Sequence, residues 1–477
     1  MKKSLIIFFI LLLAAFLRLY RIMEDPPALY WDEVAIGYNA YSINQTGKDE
    51  WGISWPVLFR SYDDYKPPVY IYTVALFQKF LGPTDFSVRL PSALAGILTV
   101  AFLYFLVYEL TKRFSVSAIS ALMLAISMWH IQFSRAGFEA NLALMFVVLG
   151  IWMFLLSLRV NIKLLFLSFI SFGLSTATYH NAKIFVPVFL IILMVLFYDK
   201  IKKNLKAVAL IGLITFIFYL PFLPAYFSRE GQLRATAESI LNQKGNLLLN
   251  FQQNFLVNFS FDYLFFHGDQ AGRHSVKKLG ELYVWQLPFI LIGLYDLIKH
   301  RSKLSVIIFA WLILGAIPAA VTKVSPHALR ALLSVVPWQI LTAVGLVKIP
   351  RLIPLTVPVV VFSLLLYLHL YHIHYPVAYA ADWQDGYAQT ISYLKSEEKN
   401  YEEIYIHDSL PEEYLKWYTL AKSEKLFRRD LLTLPIKKYP GKKSLIVAPP
   451  YMVSKDIKVI KEIKMYGGDA VYKLYEF

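Results

Sequence analysis

The chain of 477 residues contains no cysteine. That excludes a disulfide framework, a thiolate metal site and a cysteine nucleophile, and it leaves the redox compartment undetermined. Charge is scarce as well: 17% of residues are Asp, Glu, Lys or Arg and 57% are apolar, whereas an ordinary soluble domain is roughly 25% charged. With a mean hydropathy of +0.50, a soluble globule is excluded. Acids are the scarcer sign, 33 against 48 Lys+Arg, giving a net charge of +15. Such an excess first suggests nucleic acid or an anionic surface as partner. No Walker A sequence, dinucleotide fingerprint or Gly-x-Ser-x-Gly elbow occurs, so nucleotide-driven transport and serine hydrolysis lose support. Internal repeats and low-complexity segments are also missing.

What is present is a series of apolar runs, where a membrane span needs about 20 mostly apolar residues. The runs are Ser4 to Phe16, Leu90 to Leu110, Val116 to Ile131, Leu142 to Leu158, Leu164 to Thr178, Ile184 to Tyr198, Ala207 to Phe227, Leu282 to Ile298, Leu304 to Val321, Ala331 to Val347 and Leu352 to Tyr371. They predict a polytopic α-helical membrane protein with about eleven transmembrane helices. The first run follows Lys2 and Lys3, with no small-residue cleavage site before the charged segment Arg18 to Arg21. It reads as a retained signal anchor.

The distribution of charge orients these spans. With the amino terminus inside, Lys2, Lys3 and the connections Lys112-Arg113, Arg159 to Lys163, Lys200 to Lys206, Lys299 to Lys303 and Lys348 to Arg351 hold fifteen Lys+Arg against three nearby acids. Most of the positive excess is therefore the basic bias of cytoplasmic loops, and nucleic acid drops out as a partner. The outer face receives the loops Arg18 to Arg89 and Ser228 to Glu281, and an odd number of spans places the carboxyl terminus outside. The expectation is a multi-pass protein of the cell membrane with a membrane domain over residues 1–375.

From about Pro376 the composition changes to 16 basic and 15 acidic residues with no run long enough to span. Candidate strands are Glu403 to His407, Ser444 to Ala448 and Ala470 to Tyr475. Candidate helices are Asp382 to Leu394, Pro411 to Leu420 and Lys455 to Ile463. Residues 376–477 thus read as a small α/β domain on the outer face.

The first outer loop, residues 18–89, is dense in aromatics, acids and prolines and too long for a passive connection. It contains Trp31-Asp32-Glu33, then Tyr62-Asp63-Asp64-Tyr65-Lys66-Pro67-Pro68, and it leads into Asp85 to Pro91. Its stretch Val69 to Leu81 is apolar but short, which suits a segment lying at the interface. Asp32 and Glu33 admit two readings: a carboxylate base that takes a proton from a nucleophile, or loop acids capping a helix that begins near Val34.

Lys66, Arg89, Arg135, Lys183 and Arg330 lie at outer span ends, joined by Arg273 and Lys323 in the outer loops. As a group they point to an anionic ligand such as a lipid phosphate, against a reading as snorkelling side chains. The fragments Ser134 to Glu139, Tyr179 to Lys183 and Ser325 to Arg330 put ionisable residues where a cleft between helices opens outward. The loop His267 to Ser275 has the residue types for a metal or for substrate hydroxyls, but its spacing matches no specific metal motif. Tyr65, His180, His274 and His327 are the candidate substrate-binding residues. No Asp/Asn/His spacing demands a metal, so a divalent ion as cofactor stays open. Asn44-Gln45-Thr46 and Asn258-Phe259-Ser260 fit glycosylation sequons.

Trp31-Asp32-Glu33, Lys66-Pro67-Pro68 and Val88-Arg89-Leu90-Pro91 together resemble the membrane glycosyltransferases of the GT-C superfamily. The chain is most similar to family 39, the dolichyl-phosphate-mannose-protein mannosyltransferase type, and to the aminoarabinose-transferring lipid A enzymes. The likeness is strongest over roughly residues 15–200. It implies inverting transfer of a sugar, such as a mannose-like hexose, from a polyprenyl-phosphate donor to a hydroxyl on a protein, glycan or lipid outside the membrane. By the same resemblance, Asp32 is the catalytic base, Glu33 its support and Glu139 a second acid, with Lys66 on the donor phosphate. Arg135, Lys183 and Arg330 are further candidates for that phosphate. The extra modules of the protein mannosyltransferases are absent between Ser228 and Glu281, which bears on whether protein is the acceptor. The competing class is a transporter or flippase for lipid-linked sugars, which would place ionisable residues mid-span rather than at span ends.

Overall fold

The computed structural model describes residues 2–62, 64–423, 426, 443–452 and 458–476. By their contacts these residues form two units. The first comprises Met1–Tyr20, Trp55–Thr73 and Arg89–Leu368, and the second Arg21–Ser54, Val74–Val88 and His369–Phe477. This division differs from the expected break near residue 376. Two pieces of the first outer loop group with the tail because the tail's side chains bond to them.

Each of the eleven apolar runs lies at least in part on helix, some of them across more than one helical element. The early helices are α1 (Lys2–Leu19), α2 (Trp31–Thr46), α3 (Val69–Leu81), α4 (Asp85–Thr111), α5 (Phe114–Ala125), α6 (Met128–Ser134), α7 (Glu139–Ser157), α8 (Leu165–Thr176) and α9 (His180–Leu196). Among the described residues, five helices are long and apolar enough to cross a membrane, or six if α5 and α6 count as one span. Four shorter apolar helices accompany them. Along Tyr198–Phe227, Leu210, Leu213, Phe216 and Ile217 are exposed. Such a surface suits lipid rather than water. The chain is an integral membrane protein.

The run Val116 to Ile131 was expected as one helix, and the structure breaks it by 57° between α5 and α6. The Ser127 hydroxyl accepts a bond from the His130 N–H at 3.4 Å and starts α6. The buried Arg18 guanidinium takes the carbonyls of Leu124 and Ala125 at 3.2 and 3.0 Å. Carbonyls that lose their helical partners in an apolar setting need such a donor.

Two elements in the first unit escaped the sequence reading. Strands β1 (Phe59–Ser61) and β2 (Asp64–Lys66) form an antiparallel hairpin that ends on the Lys66-Pro67-Pro68 turn. Three-residue strands carry too little alternation to be recognised in sequence. Asp63 lies outside the described residues.

In the second unit, β3 (Glu403–Ile406), β4 (Ser444–Ala448), β5 (Val459–Lys464) and β6 (Ala470–Glu476) form a sheet of order β3-β4-β6-β5. β3 and β4 are parallel and the other pairs antiparallel. Every residue of β4 is buried, as its unbroken apolar run requires. The helices Tyr387–Glu397 and Glu412–Thr419 pack against each other, and the second also packs on α2. The expected helix Lys455 to Ile463 is corrected: Val459–Lys464 is a strand, and residues 455–457 lie outside the described set. Ile457, Ile460 and Ile463 stand three apart and imitate a helical face. Pairing with β6 across a turn at Gly468 overrides that pattern.

Candidate active site

In the second unit, Asp32 and Glu33 occupy the first turn of α2, where carboxylates meet the unpaired N–H groups of the helix start. Glu33 is fully buried and its Oε2 accepts the Tyr30 N–H at 3.2 Å, which is the capping role. Asp32 is half-buried. The segment leading to it is clamped by the tail. Trp31 N–H donates to Gln384 Oε1 at 3.3 Å, the Tyr414 hydroxyl donates to the Leu29 carbonyl at 3.1 Å, and Trp383 meets the Tyr30 ring edge-on at 5.5 Å.

Further along α2, Asn39 Nδ2 donates to Glu50 Oε1 at 2.9 Å, and Lys416 Nζ lies 3.2 Å from Glu50 Oε2. Gly37 must be glycine here, because a Cβ would sit 3.0 Å from the Trp417 ring and from Val88. Burial pushes the Glu50 carboxyl up from its ordinary range, with Lys416 and Asn39 opposing the shift.

In the first unit, Lys183, Arg330 and His180 line one cavity of about 500 Å³. Lys183 Nζ stands 4.1 Å above the Tyr226 ring and 3.2 Å from His180 Nδ1, while Arg330 Nη2 pairs with Glu238 Oε2 at 3.0 Å. Ile184, Leu241 and Val321 supply apolar wall. The cavity meets the start of α9, where helix geometry leaves N–H groups that favour an anion. Two lining groups stand out among the described residues: Arg330 Nη1 and the whole side-chain amide of Asn181 are buried without a hydrogen-bond partner. Buried donors of this kind call for an acceptor. Asn181, Tyr226 and Glu238 were not singled out in sequence, since the lining comes from segments some 150 residues apart.

The remaining predicted residues of this unit lie elsewhere. Lys66 Nζ is 3.3 Å from Glu139 Oε1 and both side chains are buried, so two residues expected in separate roles form an ion pair. Tyr65, beside them on β2, is half-buried. The helix Arg229–Glu238, which contributes Glu238 to the cavity, packs on β2. Arg135 does not line the cavity. Its buried guanidinium donates to the Leu17 and Tyr20 carbonyls at 2.9 and 2.6 Å and so closes the carboxyl end of α1. His274 and His327 also lie away from the cavity lining and gather on Asp269, a set of residues with metal-ligating chemistry.

Residues 65–224 match the sequence model of the dolichyl-phosphate-mannose-protein mannosyltransferase family. The fold is similar to that of ArnT from Cupriavidus metallidurans, solved with undecaprenyl phosphate, at a TM-score of 0.62 and 13% identity over 99% of this chain and 97% of that one. The family match covers part of the chain and the fold likeness nearly all of it. A second fold likeness is to the Archaeoglobus fulgidus oligosaccharyltransferase, with a TM-score of 0.54 and 13% identity over 87% of this chain. This chain spans 63% of that larger protein. No curated protein matches it significantly in sequence.

Proposed function

We propose that this protein is a glycosyltransferase that moves a mannose-like hexose from a polyprenyl phosphate to a hydroxyl acceptor on the extracytoplasmic side of the cell membrane, with inversion. The observation that carries the reading is the cavity that joins Arg330, with its unpartnered Nη1, to Lys183, the Asn181 amide and an apolar wall. That combination suits a phosphate attached to a hydrocarbon chain, the chemistry of the undecaprenyl phosphate held by ArnT.

In the proposed reaction the acceptor oxygen attacks the anomeric carbon, its proton passes to the Asp32 carboxylate, and the bond from that carbon to the phosphate oxygen breaks. A single displacement inverts the anomeric centre. The leaving group departs as a phosphate, a weak base that needs cations more than a proton, which suits Arg330, Lys183 and Lys66. Glu33 holds the turn that presents Asp32, and Glu139 holds Lys66. His180 serves substrate hydroxyls, with Tyr65 a further candidate, whereas His274 and His327, which the sequence offered for the same role, lie away from the cavity lining. The amino terminus is cytoplasmic and the α/β tail extracytoplasmic. An aminoarabinose-type donor with a lipid acceptor is the second reading, favoured by a likeness to ArnT that extends over nearly all of both chains.

The test is incubation of membranes with a panel of radiolabelled polyprenyl-phosphate sugars. Label should leave one donor, and Arg330→Ala or Lys183→Ala should raise the donor KM. A cavity variant with unchanged donor KM contradicts the phosphate assignment.

A further inference from the structure

We propose that Asp269, His274 and His327 form a binding site for a divalent first-row transition ion of the zinc class. The three offer Asp269 Oδ2 and one ring nitrogen each, all within 4.8 Å of one another. His274 Nδ1 lies 3.0 Å from Oδ2 and His327 Nδ1 3.8 Å from the same oxygen. Zinc holds nitrogen and oxygen ligands at about 2.0–2.2 Å in a tetrahedron, so its ligand atoms sit roughly 3.4 Å apart. The two observed separations bracket that value.

His274 Nδ1 and His327 Nδ1 face the same carboxylate oxygen, and one cation can take all three ligand atoms. Two imidazoles and one carboxylate select a transition ion over magnesium or calcium, which take oxygen ligands.

The surroundings fix the ligands as such a site requires. Oδ1 accepts the Ala271 N–H at 2.7 Å, Oδ2 accepts the Ala328 N–H at 2.6 Å, and Glu281 Oε1 accepts the Asp269 N–H at 3.0 Å. The His274 ring is held near Phe133 and Phe138 at 5.5 and 6.1 Å between centroids. Outer-shell contacts of this type orient metal ligands.

The ion would tie the loop 267–281 to the turn 325–330, which carries Arg330 into the cavity. Its role is structural: it holds that turn, and no bond is made or broken at the metal. Binding of the ion does not depend on the sugar-transfer reading.

The test uses the full chain in lipid nanodiscs, stripped with chelator and dialysed against zinc chloride. Metal per chain is counted by mass spectrometry. His369 and His374, with Nε2 atoms 3.1 Å apart on an exposed helix, are a competing site, so the count is made in an H369A/H374A background. The expected result is one zinc per chain, a higher melting temperature with zinc, and no competition from excess magnesium. His327→Gln and His274→Gln should each weaken zinc binding by about 10-fold or more. Asp269→Asn should abolish it. Failure of the parent chain to bind zinc, or zinc retained unchanged in monodisperse His327→Gln and His274→Gln variants, overturns the proposal. Either result leaves the transfer assay free to succeed or fail on its own.

Discussion

Lys66 and Glu139 place opposite charges where little water reaches, with side-chain exposures of 3% and 6%. Removing one member of such a pair strands the other and costs about 3–5 kcal/mol, whereas replacing both with apolar groups is often neutral. Lys66→Met should therefore lower both melting temperature and transfer, and Lys66→Met/Glu139→Leu should recover melting temperature only. Recovery of transfer in the double variant would remove Lys66 from the donor phosphate.

Glu50 gives a pH-dependent counterpart. Its carboxyl is raised in the folded chain, chiefly by burial. The stability it contributes is present below its unfolded value near about 4.3 and is lost as pH rises through the folded value. Glu50→Gln removes that loss, so its melting temperature should gain on wild type as pH climbs from about 4 to neutrality. A constant difference across the range would contradict the shift. At this scale the sequence revealed residue types but not partners. The sequence left Asp32 and Glu33 open between base and cap, and the bond from Tyr30 N–H gives the capping part to Glu33. Arg135 looked like its basic neighbours until its carbonyl partners were visible.

Among elements, α2 depends on the tail. Gln384 and Tyr414, each more than 350 residues from α2's first turn in sequence, bond the backbone at Leu29 and Trp31. A neutral hydrogen bond is worth about 0.5–1.5 kcal/mol, and 1.4 kcal/mol is tenfold in rate. Tyr414→Phe should lower kcat by up to about tenfold and leave the donor KM unchanged; a rise in donor KM with kcat intact would deny the tail a role in placing Asp32. Helices were legible because long apolar runs have one stable form in a bilayer. The break at Ser127 was not, since it depends on Arg18 arriving from α1. Nor was β5, whose strand form comes from pairing with β6.

The whole molecule's scarce and uneven charge remains its clearest sequence signal. Its absence of cysteine makes the proposed topology simple to check. Single cysteines at exposed Arg301, Asn242 and Asp469 should divide into one that an impermeant maleimide cannot reach in intact cells, at 301, and two that it labels. Labelling of all three would overturn the orientation. The cavity was not readable at this scale because its cations come from distant segments joined only in the fold.

In the proposed reaction Asp32 is the general base for transfer from a polyprenyl-phosphate sugar. The most direct measurement is the single-turnover rate of Asp32→Asn against wild type, on the donor that wild type consumes, with membrane insertion and melting temperature verified. The expected result is a loss of about 10²- to 10⁴-fold. A variant that transfers sugar at near the wild-type rate would contradict it.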